Sequence, residues 1–263
     1  MAGAERQPSS LHVLRAITAR ELRLAWRRRL LKLLFLASVL PPVIFITVIL
    51  VRLFVERSFG ADLDWDPMLR FLQFQAGPVT LLALGIGTPC VARDRAEDVL
   101  FLYATRPVVP WHYALGKLAA VALPAAALML LPGLLIAVLR LTVTQDLAAA
   151  GAGLMLLKMI LVAAVMGWAY AGLTVGASSG VKRARWAMLL AIAFLFFPDM
   201  IAQLVTFGRA WPMGPGSAVN RLMESLFDVG LDWQGLWCLA LLMLYGAGGA
   251  WVSVHRARRE MIP

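Results

Sequence analysis

The chain has 263 residues, of which 61% are hydrophobic and 15% are charged, and its mean hydropathy is +0.77. This composition excludes an ordinary soluble domain and predicts an integral membrane protein. The net charge of +10 has to be concentrated in loops and tails, and we expect membrane lipids rather than nucleic acid as partners. The two cysteines lie in or beside different apolar segments and indicate neither a disulfide framework nor a metal site.

The N-terminal residues 1–29 are rich in arginine and predict a cytoplasmic helix that lies in the membrane interface. On such a helix Leu11, Leu14, Leu22 and Ala25 face away from most of the arginines. The apolar run at 30–51 is about 22 residues long, which is enough to span a bilayer and longer than the apolar part of a signal peptide. We therefore expect a first span that is retained.

Five more apolar segments predict spans, at 71–92, 118–139, 153–177, 186–205 and 233–254. With the first they predict a six-span all-α membrane domain over residues 30–263, with both termini on one side. That side would carry 18 Lys and Arg residues and the other side six. The positive-inside rule then places both termini in the cytoplasm. Pro41, Pro42, Pro78 and Pro89 predict kinks whose freed carbonyl groups need donors from neighbouring helices or hydroxyl groups.

The loop at 93–117, between the second and third spans, contains the most informative pattern of the chain. On a helix its apolar residues share one side and its acids share another: Ala96, Val99, Leu100 and Tyr103, and Asp94, Glu97 and Asp98. The Arg106-Pro107 step is expected to end this helix, because proline disfavours helix in the residue before it. A helix this short is marginal alone, so its apolar side needs a surface, either lipid headgroups or a partner protein.

This loop resembles the cytoplasmic loop of type-2 ABC-transporter permeases. In that family an acidic helix, a Leu-rich segment, a Pro-centred turn and a Gly-Lys pair precede the third span, as in LYATRPVVPWHYALGKL here. Many members have Gly-Thr after the glutamate, where this chain has Asp98 and Val99. The resemblance implies a coupling helix that docks on a separate ATPase, with the basic loop at 178–185 as a second contact. The docking residues it implies are Arg93, Asp94, Glu97, Asp98, Leu100, Tyr103, Pro107, Lys182, Arg183 and Arg185.

The resemblance also implies a function, that of the non-catalytic permease subunit of an ATP-driven exporter in the bacterial inner membrane. It implies a second permease subunit, identical or homologous, and ABC-family ATPase subunits that bind ATP and Mg²⁺. The chain has no GxxxxGK[ST] motif, so we expect no cofactor on it and ATP hydrolysis on another chain. Such a protein either moves a substrate outward or transmits ATPase-driven motion across the membrane.

The segment at 206–232, before the last span, is too long for a tight turn. Its Pro and Gly cluster at 212–216 is followed by a stretch at 220–229 with helical character, which predicts a broken, partly helical hairpin that dips back toward the bilayer. The family that the loop resembles has short re-entrant helices at this place, near the exit of the translocation path.

Lys158 and Asp199 are the ionisable residues placed deepest inside the predicted spans. A charge is costly within a bilayer, so both are candidates for a substrate path. The alternatives are that Lys158 extends toward the interface and that Asp199 caps a broken helix. Gly172 and Gly176 form a GxxxG pattern, which is typical of close helix packing either within one chain or between two.

Two other classes of function stay open at this point. The first is a membrane-embedded enzyme that modifies lipids, because residues 176–180 match GxSxG, although the strand–turn–helix context of that motif is missing. The second is a stand-alone channel or carrier that uses Lys158 and Asp199, although no internal repeat supports it. No metal ligands, catalytic residues or cofactor-binding residues are predicted for this chain.

Overall fold

The computed structural model describes residues 9–59, 67–99, 109–144, 149–206 and 211–261. In these ranges the regular structure is helical throughout, and they contain no strand. Six segments are long and apolar enough to cross a membrane, at Leu31–Arg52, Met68–Ala96, Pro110–Leu139, Gly153–Gly180, Ala184–Val205 and Trp233–Met261. The predicted all-helical class and the predicted number of spanning segments are confirmed, and the chain is a multi-pass membrane protein.

The helices that the structure describes are these: α1 Ser10–Trp26, α2 Arg29–Ala37, α3 Leu40–Phe59, α4 Pro67–Gly87, α5 Ala92–Ala96, α6 Pro110–Thr144, α7 Ala149–Gly180, α8 Ala184–Val205, α9 Pro215–Glu224 and α10 Trp233–Met261. A short π-helical segment, Ser225–Val229, continues α9. Several helices extend beyond the predicted spans. The Gly116-Lys117 pair lies inside α6 rather than at its start, because Pro110 occupies the first helical position, which tolerates proline.

The centre of the bundle is α7, which packs against α6 on one side and α10 on the other. Two pairs of glycines line the α7–α10 contact, Gly172 against Gly246 and Gly176 against Gly249. A Cβ atom added to Gly172 would lie 2.5 Å from the Cα of Gly246, so the two backbones touch. The GxxxG pattern of α7 therefore serves packing within the chain.

The first span is broken where two prolines follow each other, as the sequence predicts. Helix α2 ends at Ala37 and α3 begins at Leu40, just before Pro41 and Pro42. Pro78 stays inside α4, whereas Pro89 lies in the turn that follows that helix.

Gln75, fully buried on α4, supplies the donors that two prolines remove. Its Nε2 lies 3.3 Å from Ser38 O and 3.1 Å from Leu128 O. These are the carbonyl groups four residues before Pro42 and Pro132, which have no N–H to donate. The two N–H groups of one amide thus bond carbonyl groups left free by prolines in two different helices, and they hold α4 between the first span and α6.

Helix α8 and the first span lie at the periphery of the bundle. Many of their large apolar side chains are exposed, among them Val43, Ile44, Val48, Phe54, Phe194, Phe196, Phe197, Met200, Ile201 and Leu204. In water such a surface would be unstable, so it is the surface expected to meet lipid tails or another apolar helix.

Candidate functional site at the basic end of the bundle

One end of the bundle carries α1, the segment from Thr88 to Val99, the 181–185 loop and the last turns of α10; we call it the basic end. Helix α1 lies on α6 there, and its buried stripe is Ile17, Thr18, Glu21 and Ala25. Of the predicted apolar face of α1, Ala25 is buried against the bundle and Leu11, at its start, is 68% exposed. The contact needs Gly116, since a Cβ there would lie 2.7 Å from Ile17 Cγ2.

A buried ion cluster joins α1, α5 and α6 at this end. The ammonium group of Lys117, which is fully buried, lies 2.7 Å from Glu21 Oε1 and 2.6 Å from Asp94 Oδ2. It also donates to Cys90 O at 2.9 Å. Tyr113 on α6 donates its hydroxyl proton to Asp94 Oδ2 at 2.8 Å. One cation on α6 therefore binds a carboxylate of α1 and both a carboxylate and a carbonyl group of the 90–94 segment, which joins three separate parts of the chain.

Ser178 fixes the turn that leads into α5. Its Oγ accepts hydrogen bonds from Val91 N at 3.0 Å and Ala92 N at 2.9 Å, and donates to Thr88 O at 2.7 Å. The hydroxyl that could have been a nucleophile in the GxSxG pattern thus bonds three backbone groups. It satisfies amides at the start of α5, which is the role of a helix cap.

Arg95 ties the same segment to two further helices. Its guanidinium lies 2.8 Å from Glu260 on α10 and donates to Ser179 O at the end of α7 at 2.8 Å. Helix α5, although only five residues long, is therefore attached to α1, α6, α7 and α10 by buried or partly buried polar contacts. A short helix of this kind is held in place by these contacts, because its own backbone bonds are too few.

The predicted coupling helix does not run unbroken from Arg93 to Val99. Helix α5 ends at Ala96, Glu97 is its C-cap, and Asp98 has a φ of 49°. This is the left-handed region, which favours glycine and tolerates aspartate.

The structure distributes the predicted docking residues unequally. The prediction that Asp94 contacts an ATPase is corrected. Its side chain is buried, with 5% exposure, and is bound to Lys117 and Tyr113, so its carboxylate faces the bundle rather than a partner. Arg93 and Glu97 form an exposed i,i+4 ion pair of 2.8 Å, and Asp98 is exposed. The other residues of the predicted helix, Leu100, Tyr103 and Pro107, lie outside the described residues.

The basic loop residues Lys182, Arg183 and Arg185 are exposed at the same end. Arg183 is the N-cap of α8, and α5 packs next to both α7 and α8. The two segments that the resemblance assigns to docking are thus neighbours in space.

Lys158 and Asp199 both contact the segment before the last span. Asp199 Oδ1 accepts from Gly214 N at 2.6 Å, Met213 N at 3.2 Å and Ser217 Oγ at 2.5 Å. It therefore caps the N-terminus of α9 from a neighbouring helix. The Lys158 ammonium donates to Leu226 O and lies 5.8 Å from the centre of the Phe227 ring.

The far end of the same segment is fixed by Asp232. Its Oδ1 accepts from Gly235 N and from the hydroxyl of Ser225, each at 2.8 Å, and its Oδ2 lies 2.5 Å from Arg221. These donors, the Gly235 amide first among them, lower the pKa of the Asp232 carboxyl below its usual value. The segment predicted to form a broken, partly helical hairpin contains α9 and the π-helical segment.

Reasoning from the sequence missed Glu21, Ser178, Arg95 and Glu260 as parts of this site. Lys117 carried one usable signal, because a lysine within an apolar span needs carboxylate partners. Which carboxylates these are was not readable, since Glu21 lies 96 residues away in the chain.

No protein-family model matches the sequence, and comparison with curated proteins gives no match. The fold and the site define the class as a multi-pass helical membrane protein with a rigidly anchored short helix at its basic end. In the part of the chain that the structure describes, no group of three or more His, Cys, Asp or Glu side chains could hold a metal ion.

Proposed function

We propose that this protein is the permease subunit of an ABC-type exporter, with its basic end in the cytoplasm. The observation that carries the proposal is the anchoring of α5: a five-residue helix bound through Lys117, Ser178 and Arg95 to four of the longer helices. A solvated loop needs no such anchoring. A segment that receives force from a partner does, because a push on it has to move the spans.

The surface next to α5 supports the same proposal. Glu97 and Asp98 are exposed beyond the anchored helix, and the exposed cations of the 181–185 loop lie nearby. A docking partner would therefore meet both negative and positive charges at one place. The family resemblance makes that partner an ATP-hydrolysing subunit, which would bind ATP and Mg²⁺, while this chain binds neither.

The mechanism follows from the contacts. Closure of two ATPase subunits would displace the segment after Ala96, and the buried cluster would transmit the displacement to α1 and α6. Arg95 and Ser178 would carry it to α7 and α10. Separating the charges of a buried ion pair in an apolar surrounding is costly, so the paired segments would move together.

A second permease subunit completes the proposal. The exposed apolar surfaces of α8 and the first span are broad enough to face either lipid or a second chain, identical or homologous. The transported substrate would pass between two such chains, or the pair would transmit motion to a protein on the other side of the membrane.

Lys158 and Asp199 belong to this proposal as residues of the path wall. Both hold the segment from Pro215 to Val229, so a movement of α7 against α8 would shift that segment. The alternative of a stand-alone carrier gains no support from them, because their charged groups bind this segment and not each other.

Purification from the native membrane in mild detergent tests the proposal. We expect an ABC-family ATPase to remain bound in a one-to-one ratio, as quantified by mass spectrometry. Replacement of Leu100 and Tyr103 by alanine together should release the ATPase, whereas the exposed substitution Leu231→Ala at the other end should not. A stable, monodisperse protein that carries no ATPase would contradict the assignment.

A further inference from the structure

Helix α10 carries one stripe of side chains that the described helices leave exposed. Its buried residues, which include Gly246, Ser253 and Ala257, lie on the side that packs against the bundle. On the opposite side a row of exposed residues recurs at helical spacing: Trp233, Trp237, Leu244, Trp251, His255 and Arg258. We call this row the α10 stripe.

Two tryptophans mark the ends of the apolar part of the α10 stripe. Trp233 is 74% exposed and Trp251 is 68% exposed. Their separation along the helix corresponds to about 27 Å, which is close to the thickness of the hydrocarbon core of a bilayer. The sequence between them contains no acidic or basic residue. Because exposed tryptophans are typical of the headgroup layers, Trp251 marks the depth at which the hydrocarbon ends on the basic side.

Beyond Trp251 the α10 stripe becomes cationic. The His255 ring stacks on the Trp251 indole, with ring centres 5.4 Å apart and an angle of 10° between the planes. Arg258 and Arg259 follow one turn later on the same side of the helix, and both are exposed. Side chains of an α-helix lean toward its N-terminus, so we expect both guanidinium groups to extend back toward the depth of Trp251.

The charges of these two arginines are not balanced within the described part of the chain. None of the ion pairs among the described residues includes Arg258 or Arg259. The acid next to them in the sequence, Glu260, is bound to Arg95 on α5 at 2.8 Å. Both guanidinium groups therefore keep N–H donors for a ligand, in a fork that fits the oxygens of a phosphate.

We propose that the end of the α10 stripe formed by Trp251, His255, Arg258 and Arg259 binds the headgroup of an anionic phospholipid. The two arginines bind its phosphate, His255 adds an N–H donor, and the Trp251 ring lies against the glycerol. The acyl chains then run along the apolar part of the stripe, past Leu244. A zwitterionic headgroup fits less well, because its own ammonium group offsets the negative charge that two unpaired arginines attract.

A lipid at this place would hold the last turns of α10 from the membrane side. Glu260 binds Arg95, and through it α5, from the same turns. We therefore expect loss of the lipid to loosen the anchoring of α5. In the proposed exporter this would weaken coupling to the ATPase; that consequence rests on the proposed function, whereas the lipid site does not.

Native mass spectrometry of the detergent-solubilised protein tests the site. The probes are dioleoylphosphatidylglycerol, which is anionic, and dioleoylphosphatidylcholine, which is zwitterionic. We expect the native protein to bind the anionic lipid at least about fivefold more tightly. Arg258→Gln and Arg259→Gln should each weaken the tightest step of anionic-lipid binding by about tenfold, the effect of losing one charge-assisted hydrogen bond.

The matched control is Arg256→Gln. Arg256 is exposed in the same turn of α10, but it lies about 100° around the helix from His255 and outside the α10 stripe. Its replacement should change the tightest lipid-binding step by less than about twofold. All three positions are exposed, so we expect the three variants to fold like the native protein.

Four results would overturn the proposal. Equal affinity of the native protein for the two lipids would contradict it without any variant. Equal losses in all three variants would mean unspecific attraction to a basic surface. No loss at Arg258 and Arg259 would mean that they only complement the dipole at the helix end or contact another protein. Displacement of the lipid by inorganic phosphate at equal concentration would make the site one for soluble anions.

Discussion

Lys117 illustrates at the scale of one residue how a charge becomes tolerable inside a helical bundle. Its ammonium group has no exposure, yet it contacts Glu21, Asp94 and Cys90 O within 2.9 Å. Burial of one charge costs several kcal/mol, and neighbouring opposite charges offset most of that cost. Lys117 therefore stabilises the fold mainly by neutralising the two buried carboxylates around it.

We predict that Lys117→Met lowers stability by about 3–5 kcal/mol, because it leaves two buried carboxylates without their cation. The readout is the thermal unfolding midpoint of the purified protein in detergent. Lys182→Met is the matched control, since Lys182 is exposed at the same end.

A second variant separates charge from shape. Adding Glu21→Gln and Asp94→Asn to Lys117→Met removes all three charges and should recover much of the lost stability. If Lys117→Met unfolded at the same temperature as Lys182→Met, the cluster would have no structural importance.

Gln75 is a buried polar residue that stabilises the bundle through hydrogen bonds. It donates to Ser38 O and Leu128 O, and its own Oε1 has no partner among the described residues. We predict that Gln75→Leu destabilises the protein by about 1–3 kcal/mol, because two buried carbonyl groups lose their donor. Gln203→Leu, at an exposed position of α8, is the control in the same unfolding measurement.

The carbonyl at Ser38 gives that prediction a sharper form. In Pro42→Ala the backbone regains an N–H that can bond Ser38 O. The cost of Gln75→Leu should then be smaller in a Pro42→Ala background than in the native sequence. Equal costs in both backgrounds would show that Gln75 does not compensate for this proline.

At the scale of the element, the contact of α7 with α10 shows what glycine spacing achieves. Gly172 and Gly246 bring two backbones together without side chains between them, and Trp168 Nε1 donates to Met243 O across the same contact at 3.3 Å. Close approach of this kind gives many small attractive contacts, which drive helix packing in lipid. The α7–α10 pair is therefore a closely packed contact at the centre of the bundle.

We predict that Gly172→Val disrupts this pair and lowers both the yield and the unfolding midpoint of the folded protein. Gly153→Val provides the control on the same helix, because a Cβ at Gly153 meets no atom within 4 Å. Size-exclusion profiles of the two variants in detergent compare them directly. A Gly172→Val protein as stable and monodisperse as Gly153→Val would mean that α7 and α10 are not in contact.

Short elements were harder to predict from the sequence than long ones. The six spanning segments follow from apolar length, and the break at Pro41 and Pro42 follows from the chemistry of proline. The helix predicted to end at the Arg106-Pro107 step is interrupted at Asp98, because helical periodicity in the sequence continues through a position at which the backbone turns left-handed. A capping role for Asp199 was among the alternatives, but the sequence did not identify α9 as the capped helix, since the cap joins residues brought together only by packing.

At the scale of the whole molecule, the two ends of the bundle differ in how their polar residues are used. The basic end holds α5 through Lys117, Ser178 and Arg95, and the opposite end holds the segment from Pro215 to Val229 through Asp199, Lys158 and Asp232. Helix α7 reaches both, since Lys158 and Ser178 lie on it. A displacement of α5 therefore has a continuous path of packed contacts to the segment at the other end.

Photo-crosslinking at the basic end tests the central claim most directly. A benzophenone amino acid replaces Asp98 in one variant and Leu231, exposed at the opposite end, in the other, and illumination takes place in native membranes. The account predicts that the Asp98 variant captures an ABC-family ATPase, identified by mass spectrometry, and that the Leu231 variant does not. Capture of lipid alone at Asp98, in a correctly folded protein, would contradict it.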